Sequence, residues 1–208
     1  MTNQKTIIIT GGTKGLGKAL CTYLSRNKYN IATFSSNTIE KESDNFLQSQ
    51  VDIRDKQKVK AFIDRVYKKW QRIDILINNA GIVNLKCLKD YTEEDVNNTV
   101  DVNIKGTFFV TQATIPYMHD GYVINIGSTR SITGAPNKSI YSMSKFAMRS
   151  LTQCINQEIH NVRSTIICPG KFEPEGYVSI QYLCKTIKLL INTPSGSSIS
   201  ELIIGGQL

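Results

Sequence analysis

Tyr141 and Lys145 stand four residues apart in Tyr141-Ser142-Met143-Ser144-Lys145, a stretch that reads as helix. Side chains at that spacing share one helix face, with Cβ atoms roughly 5–6 Å apart. The ammonium is therefore expected to lower the phenol pKa from its ordinary value of about 10. A phenol tuned in this way can exchange a proton with an alcohol or a ketone near neutral pH. A second hydroxyl, Ser128, ends the apolar run Ile124-Asn125-Ile126-Gly127-Ser128 upstream. Taken singly, a solvated i,i+4 pair and a strand-end serine capping a turn account for these residues equally well.

The N-terminal stretch supplies what such an acid would serve. An apolar β-branched run, Lys5-Thr6-Ile7-Ile8-Ile9-Thr10, breaks into Gly11-Gly12-Thr13-Lys14-Gly15-Leu16-Gly17 and continues as a helix. Buried strand, glycine turn and helix N-terminus in that order give bare backbone and unpaired N–H groups to a dinucleotide pyrophosphate. The spacing is Thr-Gly-x-x-x-Gly-x-Gly rather than G-x-G-x-x-G. Glycine turns built only for chain reversal share these features.

A second apolar strand, Ile73-Asp74-Ile75-Leu76-Ile77, runs into Asn78-Asn79-Ala80-Gly81. With these residues in place, the chain from Thr6 to Gly206 resembles a single-domain member of the short-chain dehydrogenase/reductase family. Thr10, Gly11, Gly15 and Gly17 match the family's cofactor loop, with Thr13, Lys14 and Leu16 inside it. Asp52, followed by Ile53, matches the adenine-side acid, and Asn79, Ala80 and Gly81 belong to the Asn-Asn-Ala-Gly motif. The resemblance makes Asn103, Ser128, Tyr141 and Lys145 the catalytic tetrad. In it Ser128 donates to the substrate oxygen, Tyr141 carries the proton, Lys145 holds the nicotinamide ribose and Asn103 positions a water. Pro169-Gly170, after the sixth strand, completes the cofactor contacts. The implied reaction interconverts a ketone or aldehyde with an alcohol, and a homodimer or homotetramer is the implied assembly.

After the second strand the chain reads Phe34-Ser35-Ser36-Asn37, without the acid that bonds the adenosine ribose in NAD-preferring chains. Ser35 and Ser36 tolerate a 2′-phosphate, and Lys14 stands where NADP-using members often carry a base. NADP(H) is the expected cofactor, with NAD(H) as the alternative. Beyond Pro169-Gly170, Lys171-Phe172-Glu173-Pro174-Glu175-Gly176 leads almost at once into an expected helix, Tyr177 to Ile191. The long substrate-covering segment of most relatives is shortened there, so the cleft should be open. A protein that kept cofactor binding and lost catalysis is the competing reading. Arg130, Lys138 and Lys171 fall on segments bordering the cleft mouth and would suit an anionic substrate.

These residues need a scaffold, and hydrophobic runs alternating with helical periodicities supply one. They predict an α/β, Rossmann-like, doubly wound seven-stranded parallel sheet with helices on both faces. Its strands are expected at Thr6 to Thr10, Ile31 to Phe34, Gln50 to Asp52, Ile73 to Ile77, Tyr122 to Gly127, Ser164 to Cys168 and Glu201 to Ile204. Val59, Phe62, Ile63, Val66, Tyr67 and Trp70 trace one apolar helical stripe. A length of 208 residues suits one domain, 1–208. The net charge of +8 is dispersed without like-charge runs, which argues against nucleic acid as partner. No segment reads as a targeting peptide or membrane span, so the cytoplasm is the expected location. Five scattered cysteines and two histidines make neither a disulfide framework nor a metal site, and each cysteine is expected to be a small buried residue in a reducing compartment.

Overall fold

The computed structural model describes residues 4–173, 176–194 and 196–205. Its centre is β1 (Thr6–Thr10), whose five residues are all buried. Because alternate side chains of a strand face opposite ways, Ile7 and Ile9 enter one core layer and Ile8 the other. The first layer packs α1 (Gly15–Ser25) and α6 (Ile180–Ile191) against the sheet. The second packs α2 (Lys56–Trp70), with α4 (Thr107–Thr114) and part of α5 (Ser139–Glu158). Each fully buried isoleucine contributes roughly 1.5–3 kcal/mol of transfer free energy. A strand buried on both faces is the reason for the unbroken β-branched run.

The sheet contains β2 (Asn30–Ser35), β3 (Lys41–Ser43), β4 (Phe46–Gln50), β5 (Ile75–Asn78), β6 (Gly121–Ile126), β7 (Val162–Pro169) and β8 (Glu201–Ile204) besides β1. Their order is β3-β4-β2-β1-β5-β6-β7-β8. Every pairing is parallel except β3 with β4. The doubly wound α/β architecture is as expected, but the sheet has eight strands where the sequence suggests seven.

The addition and a displaced strand share one cause. The third expected strand, Gln50 to Asp52, lies instead at Phe46–Gln50, in register with β2 from Ile31 opposite Phe46 to Ser35 opposite Gln50. Its buried positions include Gln48 and Ser49, which are satisfied by Thr38 Oγ1 at 2.8 Å, the Ile39 carbonyl at 2.9 Å and the Glu40 carboxylate at 3.0 Å. Strand β3 is three exposed polar residues, with Glu42 bonded to Arg65 and Lys69 of α2. β3 carries no apolar residue and β4 only Phe46 and Leu47, so hydrogen bonds supplement what burial does elsewhere.

Helix α2 starts where Asp55 accepts the N–H groups of Gln57 and Lys58, and it buries Val59, Phe62, Ile63 and Val66. Tyr67 and Trp70 are only partly buried against that layer. The helix expected from Tyr177 begins at Ile180, because Val178 bridges Phe172 and donates to the Lys171 carbonyl at 3.1 Å. Pro174, Glu175 and Gly206 lie outside the described residues. All five cysteines are free; Cys21, Cys168 and Cys184 are buried, but Cys87 and Cys154 are exposed, contrary to expectation. Among the described residues no helix is long and apolar enough to cross a membrane, and no cluster of three metal-binding side chains occurs.

Candidate active site

Strand β1 has β2 on one side and β5 on the other, and chain continuations from these strands leave toward opposite faces. At such a switch point a crevice opens beyond the carboxyl ends of the strands. Here it is a groove of about 1140 Å³, larger than most small-molecule sites and long enough for a dinucleotide beside a substrate.

At one end the glycine turn is locked from below. Gly11 sits at φ +70° and donates to the Phe34 carbonyl at 2.9 Å. Thr10 Oγ1 accepts the Asn79 and Ala80 N–H groups at 3.0 and 2.8 Å, while Asn79 Nδ2 donates to the Thr10 carbonyl at 2.9 Å. A Cβ on Gly17 would stand 2.3 Å from the Gly11 oxygen, so only a hydrogen fits there. The first turn of α1 has no capping side chain and no acid, which leaves its N–H groups and helix dipole for a ligand. This bare, donor-rich cradle fits a pyrophosphate.

Gly11, Thr13, Lys14, Gly15 and Leu16 line the groove, as do Ser35 and Ser36 at the end of β2 and Asp52 and Ile53 past β4. Asn79, Ala80 and Gly81 past β5 line it too, with Pro169 and Gly170 at the end of β7. Gly17 stands beneath the turn rather than on the wall. Sequence reasoning missed Arg54 and Asn98. Arg54 holds both oxygens of Asp52, with a shortest contact of 2.6 Å, and reaches Asn98 at 3.4 Å. The Arg54 guanidinium keeps the Asp52 carboxyl below the usual carboxylate range. The only available signal was the short spacing of Asp52-Ile53-Arg54.

At the other end Ser128, Tyr141 and Lys145 face the same groove. Ser128 caps a 3-10 turn, its Oγ accepting the Arg130 N–H at 3.1 Å. Lys145 is buried and donates to the Ile126 carbonyl at 2.8 Å, with its Nζ 5.8 Å from the Tyr141 ring centroid. One expectation changes. Burial raises the Tyr141 pKa above that of a free phenol, and the opposing influences are the Ser128 hydroxyl and the Arg130 charge, not Lys145. Burial likewise pulls Lys145 down to about 8. The Lys145 ammonium is directed at the Ile126 carbonyl rather than at the phenol.

Asn103 lies off the groove wall, in a π-helical turn (Val100–Gly106) that joins α3 (Glu93–Thr99) to α4. Its Oδ1 accepts the Ile82 N–H at 2.8 Å, and its Nδ2 donates to the Ile82 carbonyl at 2.9 Å and to Ser144 Oγ at 3.0 Å. Both amide hydrogens are thus engaged. The side chain ties the β5 loop to α5, and a π turn at this place is common near functional sites.

Comparison with known proteins agrees with this geometry. The model of the short chain dehydrogenase family matches residues 5–181. Oxidoreductase UcpA of Salmonella typhimurium is 34% identical over 80% of this chain and 68% of its own. The 3-oxoacyl-[acyl-carrier-protein] reductase FabG of Thermotoga maritima is 31% identical over 81% of this chain and 74% of its own. Among solved structures, ElxO with NADP bound superposes with a TM-score of 0.89 at 25% identity, over 98% of both chains. The chain belongs to the short-chain dehydrogenase family, oxidoreductases that bind nicotinamide cofactors and act on small molecules.

Proposed function

We propose that this protein reduces a ketone or aldehyde to an alcohol, and catalyses the reverse, with NADP(H) as cofactor and Tyr141 as proton carrier. The observation that carries this reading is the convergence of the Ser128, Tyr141 and Lys145 side chains at one end of a groove whose other end is an uncapped helix start. The bound nicotinamide supplies the hydride for reduction and takes it up in oxidation. The Tyr141 hydroxyl gives its proton to the carbonyl oxygen, and the neighbouring Ser128 hydroxyl, whose Oγ accepts from the Arg130 N–H, donates to the same oxygen. Lys145 holds the ribose side of the cofactor, and Asn103 fixes the loop after β5 against α5 so that this wall keeps its shape.

Preference for NADP(H) rests on Ser35 and Ser36 at the adenosine end, on the absence of an acid in Phe34-Ser35-Ser36-Asn37, and on Lys14 at the groove edge. A structural neighbour solved with NADP supports it. The test is spectrophotometric, with the protein mixed with NADPH or NADH and a panel of ketones while nicotinamide absorbance is followed. Turnover with NADPH favoured over NADH is expected. Tight NADPH binding without turnover on any substrate would favour a binding protein, and a preference for NADH would reverse the cofactor assignment.

A further inference from the structure

The charges of the groove are lopsided. Among the described residues that line it, Lys14, Arg54, Arg130, Lys138, Lys145 and Lys171 are cationic, and the single carboxylate, Asp52, is held by Arg54. Lys14 and Arg54 lie toward the adenosine end, where the cofactor's own phosphates account for them. Arg130, whose N–H holds Ser128, and Lys138, at the start of the helix that carries Tyr141, line the groove beside the reacting hydroxyls. Resting on the function proposed above, we infer that the substrate carries an anionic group, a carboxylate or a phosphate, seated between Arg130 and Lys138.

The Arg130 guanidinium is fixed by bonds to the Gly134 carbonyl at 2.9 Å and to Thr129 Oγ1 at 3.4 Å. Those use two of its five N–H donors. Its charge reaches Tyr141, whose phenol it pulls downward, so the guanidinium stands near the proton-transfer site. Its backbone N–H also holds Ser128 Oγ at 3.1 Å. Lys138 stands at the N-cap of α5, with no side-chain capping bond and no acid in the first turn. A lysine at that position works against the helix dipole. Local rules broken in this way are commonest where function demands it. Fixed cations in a concave site favour anions both in encounter and in binding.

The experiment compares NADPH-dependent reduction within matched pairs. One arm sets oxo acids of four to ten carbons against their methyl esters, and the other sets dihydroxyacetone phosphate against dihydroxyacetone. A charge-assisted contact predicts at least about a tenfold advantage in kcat/KM for the anion, carried mainly by KM and reduced by added salt. The arm with the larger ratio identifies carboxylate or phosphate as the preferred group. Arg130→Met and Lys138→Met should each lower the ratio, and Arg130→Lys should restore most of it. The Lys138 variant serves where Arg130→Met fails to fold. Equal turnover of neutral and anionic members, or a ratio unmoved in both Arg130→Met and Lys138→Met, overturns the anion subsite while leaving the reductase reading intact. Failure to reduce any member of either arm overturns both.

Discussion

The two ends of the groove are built on different principles. The cofactor end is backbone: Gly11, Gly17, Thr10 and Asn79 interlock so closely that a methyl group on Gly17 would press on the Gly11 oxygen at 2.3 Å. The substrate end is side chain, carried by α5 and by the 3-10 turn after β6, and in the loop between them a Cβ on Gly134 would meet no atom within 4 Å. Backbone packing admits few sequences, whereas a roomy loop admits many. On the proposed assignment, binding of the cofactor falls to the same residues that fix the fold, and choice of substrate to residues the fold constrains less.

The contrast can be broken by substitution. Tyr141→Phe removes the proton carrier without touching the cradle; turnover should fall by about a thousandfold or more while NADPH binding, followed by fluorescence, stays near normal. Gly17→Ala attacks the cradle itself. Overpacking of this kind costs about 1–3 kcal/mol, so chemical denaturation should show a less stable protein and NADPH affinity should drop together with it. Retained affinity in that variant would show that the cofactor end is not backbone-determined.

Smaller effects sharpen the comparison. Lys14→Ala should raise the KM for NADPH about tenfold, as loss of one charge-assisted phosphate contact does, and leave the KM for NADH unchanged. The acidity of the site gives a pH signature. A lysine held at about 8 is charged below that pH and neutral above it, so kcat/KM for reduction, which reports the free enzyme, should fall as pH rises through about 8. A flat profile from pH 7 to 9 would show that the Lys145 charge is not needed. Gly134→Ala is the control at the roomy end, expected to alter denaturation free energy by no more than about 1 kcal/mol.

The same division governs how much could be read from the sequence. Strands β1 and β8 fall on the apolar runs, the glycine turn and Asn79 stand at the groove because strand ends place them there, and Tyr141 does because it lies in the first turn of α5. What stayed hidden depends on partners distant in sequence. Gln48 and Ser49 are buried only because Thr38, Ile39 and Glu40 return to meet them. Arg54 matters because it folds back on Asp52. The environment of Tyr141 was misjudged for a related reason. Spacing on a helix says that Lys145 is close, but it cannot say that Lys145 is buried, turned toward the Ile126 carbonyl and partly stripped of its charge preference.

The amide of Asn103 joins a loop, a π turn and a long helix through three hydrogen bonds. Warming the protein should strain this clasp before it opens a sheet whose central strands are buried on both faces, since local openings cost less than global unfolding. Heat inactivation should accordingly precede loss of the far-ultraviolet circular dichroism signal. Amide hydrogen exchange at Ile82 should quicken several degrees below the melting of β1, so that the temperature range for work is narrower than the range for shape.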